Sequence, residues 1–147
     1  MPKKAKPKEK IVAENKKVDA TKVKPSKTMK RILIVEDERP LSHALELKLG
    51  NSGYETKVVE TGTEAIEIIK ENKFDLILLD LIIPEMDGFA VLKEFSKKKL
   101  KMPIIVLSNL GQEEDKERAK GMGVKEYCVK ANTPLADIVN IVKSYAK

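Results

Sequence analysis

The chain holds one cysteine, Cys128, and one histidine, His43, so neither an intrachain disulfide nor a His-cluster zinc site is available to it. Such cysteine poverty fits a reducing, cytoplasmic setting. Long apolar runs are missing too. The longest, Leu76 to Ile83, is broken by Asp80 and falls far short of the ~20 residues a membrane-spanning helix needs. The N-terminus has charge but no apolar h-region, which argues against a cleaved secretory signal. What remains is one ordinary domain of ~100–150 residues with a short appendage, expected to be monomeric.

The net charge of +6 is unevenly spread. Residues 1–30 hold eleven lysines and three acids, a net of +8, which leaves −2 on the rest. Up to Thr28 there is no aromatic residue and no leucine, and three prolines interrupt the segment, so it buries too little apolar surface to offset the entropy of ordering. Residues 1–29 therefore read as a disordered Lys-rich arm and residues 30–147 as the folded domain. The arm's Lys/Pro/Ala mix is similar in composition to histone H1-type tails. A solvated flexible leader is the favoured reading of the arm, and binding to nucleic acid or anionic lipid by counterion release is the alternative.

Three runs, Ile32–Val35, Leu76–Leu79 and Ile104–Leu107, are continuously apolar, as strands buried on both faces of a parallel sheet are. Tyr54–Val59 and Glu126–Lys130 mix polar and apolar positions and suit sheet edges. Helical patterns lie between them. Pro40 suits a first turn, Leu41, Leu45 and Leu49 repeat at i+4, and Gly53 ends that segment. Thr61 and Glu64 have the spacing of a capping box before Ala65, Ile66 and Ile69. Asp87 is placed to cap a helix burying Val91, Leu92 and Phe95. Thr133 is placed to cap the last helix, with Pro134 in its first turn and Leu135, Ile138, Val139 and Val142 on its buried face. Residues 113–122 have acids early and bases late but almost no apolar residue, which predicts the most loosely packed helix. The alternation predicts an α/β fold, a (βα)5 flavodoxin-like doubly wound parallel sheet of strand order 2-1-3-4-5. Its site lies beyond the carboxyl ends of the strands, where the order reverses.

The residues at those ends carry chemistry. The first strand runs into Glu36, Asp37 and Glu38, and the third ends at Asp80. Strands ~4.8 Å apart would crowd these carboxylates, which then need a proton or a cation among them. An all-oxygen acidic pocket suits Mg²⁺. Ser108 ends the fourth strand, and Lys130 the fifth. A carboxylate, a metal site, a hydroxyl and an ammonium around one point are what phosphoryl transfer to Asp80 requires.

In order and spacing, ILIVEDE (32–38), LILLDLIIPEMDG (76–88), IIVLSNLG (104–111) and YCVKAN (127–132) resemble the receiver domain of bacterial two-component response regulators, the CheY-like family. The resemblance spans residues 30–147. It implies that Asp80 is the phosphoacceptor, charged by a histidine kinase or phosphotransfer protein. It further implies that Asp37 ligates Mg²⁺ directly, Glu36 through water and Ile82 through its backbone carbonyl. Ser108 would donate to a phosphoryl oxygen, Lys130 would pair with the phosphate, and Tyr127 would be the aromatic that moves with Ser108. Such a protein is a signalling switch rather than an enzyme, beyond its own phosphorylation and dephosphorylation. With the sequence ending at Lys147, the expectation is a stand-alone regulator. Its responsive face would comprise residues 113–122, the Tyr127 strand and the last helix, and its donor would dock near Arg39, Pro40, Leu41, Ala131 and Asn132.

Departures from the family pattern are informative. Ala131 stands where receivers usually have a cis proline, which leaves the loop from Lys130 to Thr133 to be settled by structure. Asn109 is larger than the small residue common after the hydroxyl. Ile82 is apolar and cannot orient an attacking water, so slow self-dephosphorylation is expected. Three rivals fit less well. A haloacid-dehalogenase-type phosphatase lacks its second acid after Asp80, and a flavodoxin-like cofactor binder lacks a phosphate-cradling loop. The third is a non-phosphorylated receiver-like interaction module whose arm binds nucleic acid or an anionic surface. Cys128 and His43 have no chemical partner in the sequence and read as structural.

Overall fold

A computed structural model describes residues 29–147; the arm inferred for residues 1–29 lies outside them save for Met29. Strands and helices alternate as β1 (Arg31–Val35), α1 (Arg39–Asn51), β2 (Glu55–Val59), α2 (Gly62–Glu71), β3 (Leu76–Leu79), α3 (Gly88–Lys97), β4 (Ile104–Ser108), α4 (Glu113–Gly121), β5 (Glu126–Val129) and α5 (Leu135–Tyr145). All neighbouring strands are parallel, and their spatial order is 2-1-3-4-5. Mixed-polarity β2 and β5 occupy the edges, where one strand side needs no apolar cover.

The inner strands are apolar throughout because both sheet faces are covered. Ile32, Ile34, Leu76, Leu78, Ile105 and Leu107 pack against Leu45 and Leu49 of α1 and Ile138, Val139 and Val142 of α5. Leu33, Val35, Ile77, Leu79 and Val106 pack on the opposite face against α2, α3 and α4, with Phe95 as the largest fully buried side chain. Each buried Leu or Ile contributes about 1.5–3 kcal/mol of apolar transfer, so the period-2 division between two layers locks the register.

Helix punctuation follows local chemistry. Thr61 accepts from the Glu64 N–H at 3.1 Å, and Glu64 reaches back to the Glu60 N–H at 2.9 Å, one residue earlier than an ideal capping box. Asp87 accepts from the Ala90 N–H at 3.0 Å. After α1, Gly53 takes a left-handed φ of 96° that a side chain would resist. Helix α4 buries only Ala119, as its sequence predicts.

Two boundaries differ from the sequence reading. Strand β5 ends at Val129, and Lys130–Asn132 form a single 3₁₀ turn. Thr133 does not cap α5: its hydroxyl donates backward to the Val129 carbonyl at 2.8 Å, and Pro134 takes the cap position instead.

Candidate functional site

The register levels the ends of β1 and β3. Val35 stands opposite both Val59 and Leu79, so the next residues, Glu36 and Asp80, emerge side by side from the sheet. Their backbones are pinned there: the Glu36 N–H donates to Val59 and the Asp80 N–H to Val35, each at 3.0 Å. Both side chains are buried, with Glu36 2% and Asp80 3% exposed, whereas Asp37 is exposed. One carboxylate oxygen from each of Glu36, Asp37 and Asp80 lies within 4.8 Å of the others. A hard, all-oxygen donor set of this kind fits Mg²⁺.

Lys130 crosses the sheet end to reach them. Its ammonium donates to Asp80 Oδ2 at 2.8 Å, to Glu36 Oε2 at 3.1 Å and to Glu38 Oε1 at 2.7 Å. Burial works against charge on Lys130, but the hydrogen bonds to Asp80, Glu38 and Glu36 outweigh it, and the ammonium's pKa is raised. Burial pushes Glu36 up to about 7, against the opposing effect of the Glu38 N–H and Lys130. The second Asp80 oxygen, Oδ1, accepts from the Ile82 N–H at 3.0 Å. The Asp80 carboxylate is thus held at both oxygens, facing a cleft of about 180 Å³ lined by Asp37, Glu38, Asp80, Ile82, Asn109 and Lys130.

Ser108 is placed differently. It is fully buried, does not line the cleft, and its Oγ accepts from the Leu110 N–H at 3.4 Å. Tyr127 holds the same loop from its other side, donating its hydroxyl to the Leu110 carbonyl. Burial first, then the charges of Asp115 and Asp80, push the Tyr127 phenol up to about 12. Among the described residues every peptide bond is trans, including Lys130–Ala131, and the Lys130 amine reaches Asp80 nonetheless.

Residues 32–143 match the family model for the response regulator receiver domain. This chain belongs to that family. It is 36% identical over 100 residues to the cell cycle response regulator CtrA of Brucella ovis, covering 68% of this chain and 43% of CtrA. The chain therefore spans less than half the length of such curated relatives. Among solved structures it resembles a CheY-like receiver from Methanospirillum hungatei (TM-score 0.75, 26% identity, 80% of this chain and 93% of that one). It also resembles the BeF3-activated receiver of Klebsiella pneumoniae RstA (TM-score 0.73, 26% identity, 80% and 98%). Response regulators are signalling proteins that work with histidine kinases and downstream targets, and the family typically binds Mg²⁺. Among the described residues no helix is long and apolar enough to cross a membrane.

One participant in this receiver's site was not singled out from sequence. Glu38 sits in an acidic run, and spacing alone does not separate a solvated acid from one that contacts Lys130.

Proposed function

We propose that this receiver accepts a phosphoryl group on Asp80 from a His-phosphorylated kinase or phosphotransfer protein and changes its protein binding as a result. The observation that carries the reading is the Asp80 carboxylate: buried at a strand end, oriented by the Ile82 N–H and Lys130, and open to one cleft shared with Asp37. Its oxygen attacks phosphorus while the bond from phosphorus to the donor's imidazole nitrogen breaks, and the electron pair leaves with the imidazole. Glu36, Asp37, Asp80 and the Ile82 carbonyl are the groups that would hold Mg²⁺, which when bound offsets the charge gathered by carboxylates and phosphoryl oxygens. Lys130 keeps a hydrogen-bonded cation beside the reacting oxygen.

Ser108 is the hydroxyl that would answer the phosphoryl group. In its present rotamer it serves Leu110, so turning toward the cleft removes the partner of the Leu110 N–H. Tyr127 is bound to the same residue, and the loop leads into α4, which buries only Ala119. A weakly anchored helix is the element a few kcal/mol can move, which supports α4, β5 and α5 as the responsive face. Ile82 is 54% exposed at the cleft and offers no side-chain group to orient water, and Asn109, larger than the small residue common there, lines the same cleft. Both support a long-lived acyl phosphate.

The test is incubation with acetyl phosphate and Mg²⁺, followed by intact mass. A phosphoryl adduct that vanishes in Asp80→Asn is the expected result. No adduct with any donor would leave the interaction-module reading in its place, and an adduct decaying within seconds would contradict slow dephosphorylation.

A further inference from the structure

An ammonium has three N–H donors, and in this structure carboxylates take all of them: Asp80, Glu36 and Glu38, at 2.8, 3.1 and 2.7 Å. If Lys130 is to bind a phosphoryl oxygen on Asp80, one of these partners must let go. Glu36 and Asp80 are buried and fixed by strand backbone on both sides of the switch point. The Glu38 side chain is 58% exposed, so water takes over its hydrogen bonds at little cost when it leaves.

The local structure shows that Glu38 is directed toward this contact. It occupies the N-cap position of α1, where an acid ordinarily accepts from the first helical N–H groups, yet it makes no side-chain cap hydrogen bond. Its own N–H is bound to Glu36 Oε2 at 3.0 Å, which fixes the backbone and leaves the side chain as the movable part. Glu38 and Lys130 both line the cleft in front of Asp80.

We propose that Glu38 is a positioning residue of the phosphorylation site: it holds the third donor of Lys130 in the resting state and surrenders it to the incoming phosphoryl oxygen. The inference rests on the reading of Asp80 as acceptor. Glu38 thereby parks Lys130 over the cleft, and each phosphoryl group must displace one carboxylate to recruit the lysine.

Beryllofluoride, the activating group in the RstA relative, is the probe. Its affinity is measured by NMR titration at saturating Mg²⁺ for the full chain, Asp80→Asn, Glu38→Ala and Glu38→Asp. Glu38→Asp keeps the negative charge but is one methylene too short to reach Lys130. Displacing an exposed ion pair is worth little, so both Glu38 variants are expected to bind about three- to tenfold tighter than the parent. A gain confined to Glu38→Ala assigns the effect to charge at the cleft and overturns the proposal, as does no gain or a loss in both. Thermal melts of the two variants establish that each is folded. Absence of binding by the parent chain, by contrast, overturns the acceptor reading of Asp80 and the proposal with it.

Discussion

The Lys130 ammonium donates to Asp80 Oδ2 across 2.8 Å, joining residues 50 positions apart at the end of the sheet. It is the cation among Glu36, Glu38 and Asp80, two of which are almost entirely buried. Removing it leaves buried carboxylates facing one another without compensation. Lys130→Met is therefore expected to destabilise the Mg²⁺-free protein by about 3–5 kcal/mol in urea denaturation. Adding Mg²⁺ should stabilise the variant more than the parent, because the ion supplies the missing positive charge; equal stabilisation would contradict this account.

Gly88 starts α3 directly beneath the site. A Cβ there would lie 2.4 Å from the Leu81 Cα and 2.9 Å from the Asp80 carbonyl oxygen, both of them backbone atoms. No rotamer change relieves such a clash, so the turn carrying Asp80 must shift. Gly88→Ala is expected to cost about 1–3 kcal/mol by overpacking and to lower the yield of acetyl phosphate adduct. A normal melting temperature with normal adduct yield would show that the turn yields freely.

The fold was legible because two-sided burial leaves a strong mark: Ile32–Val35, Leu76–Leu79 and Ile104–Leu107 have no polar residue until the strand ends. The crowding of Glu36, Asp37 and Asp80 followed from strand spacing alone. Side-chain direction was less accessible. Ser108 ends its strand as expected, but whether its hydroxyl faces the cleft or Leu110 is a rotamer choice that sequence does not encode. Thr133 looked like a cap because Ser, Thr, Asp and Asn commonly are; the 3₁₀ turn before it, set by geometry after Lys130, redirected its hydroxyl to Val129. Glu38 is one acid of three in a row, and only the path of Lys130 distinguishes it.

Arg118 of α4 lies over the ring of Phe89 in α3, 4.0 Å from its centroid. Ala119 is the only buried residue of α4, and this cation–π contact adds a tie between the two helices. An exposed contact of this type is worth ~0.5–1 kcal/mol, so Arg118→Ala is expected to speed amide exchange across α4 by about two- to fivefold. Exchange in α1 and α5 serves as the internal reference and should not change. Uniform acceleration everywhere would point to global destabilisation instead.

Cys128 is buried on β5, and that burial, followed by the charge of Glu126, pushes its thiol from 9.0 up to about 11. The folded protein therefore holds this proton more tightly than the unfolded chain does. Between pH 9 and 11 the native state carries more protons, so the thiol's contribution to stability is intact below that window and is lost as pH rises through it. Comparing urea midpoints of the parent and Cys128→Ala across the window isolates this slope from the titration of lysines common to both. The parent should lose stability more steeply than the variant. At pH 9 only about one per cent of the native thiol is ionised, so alkylation by iodoacetamide should be slow until the protein is unfolded. Parallel pH profiles, or rapid alkylation of the native protein, would show that the thiol titrates as an exposed one does.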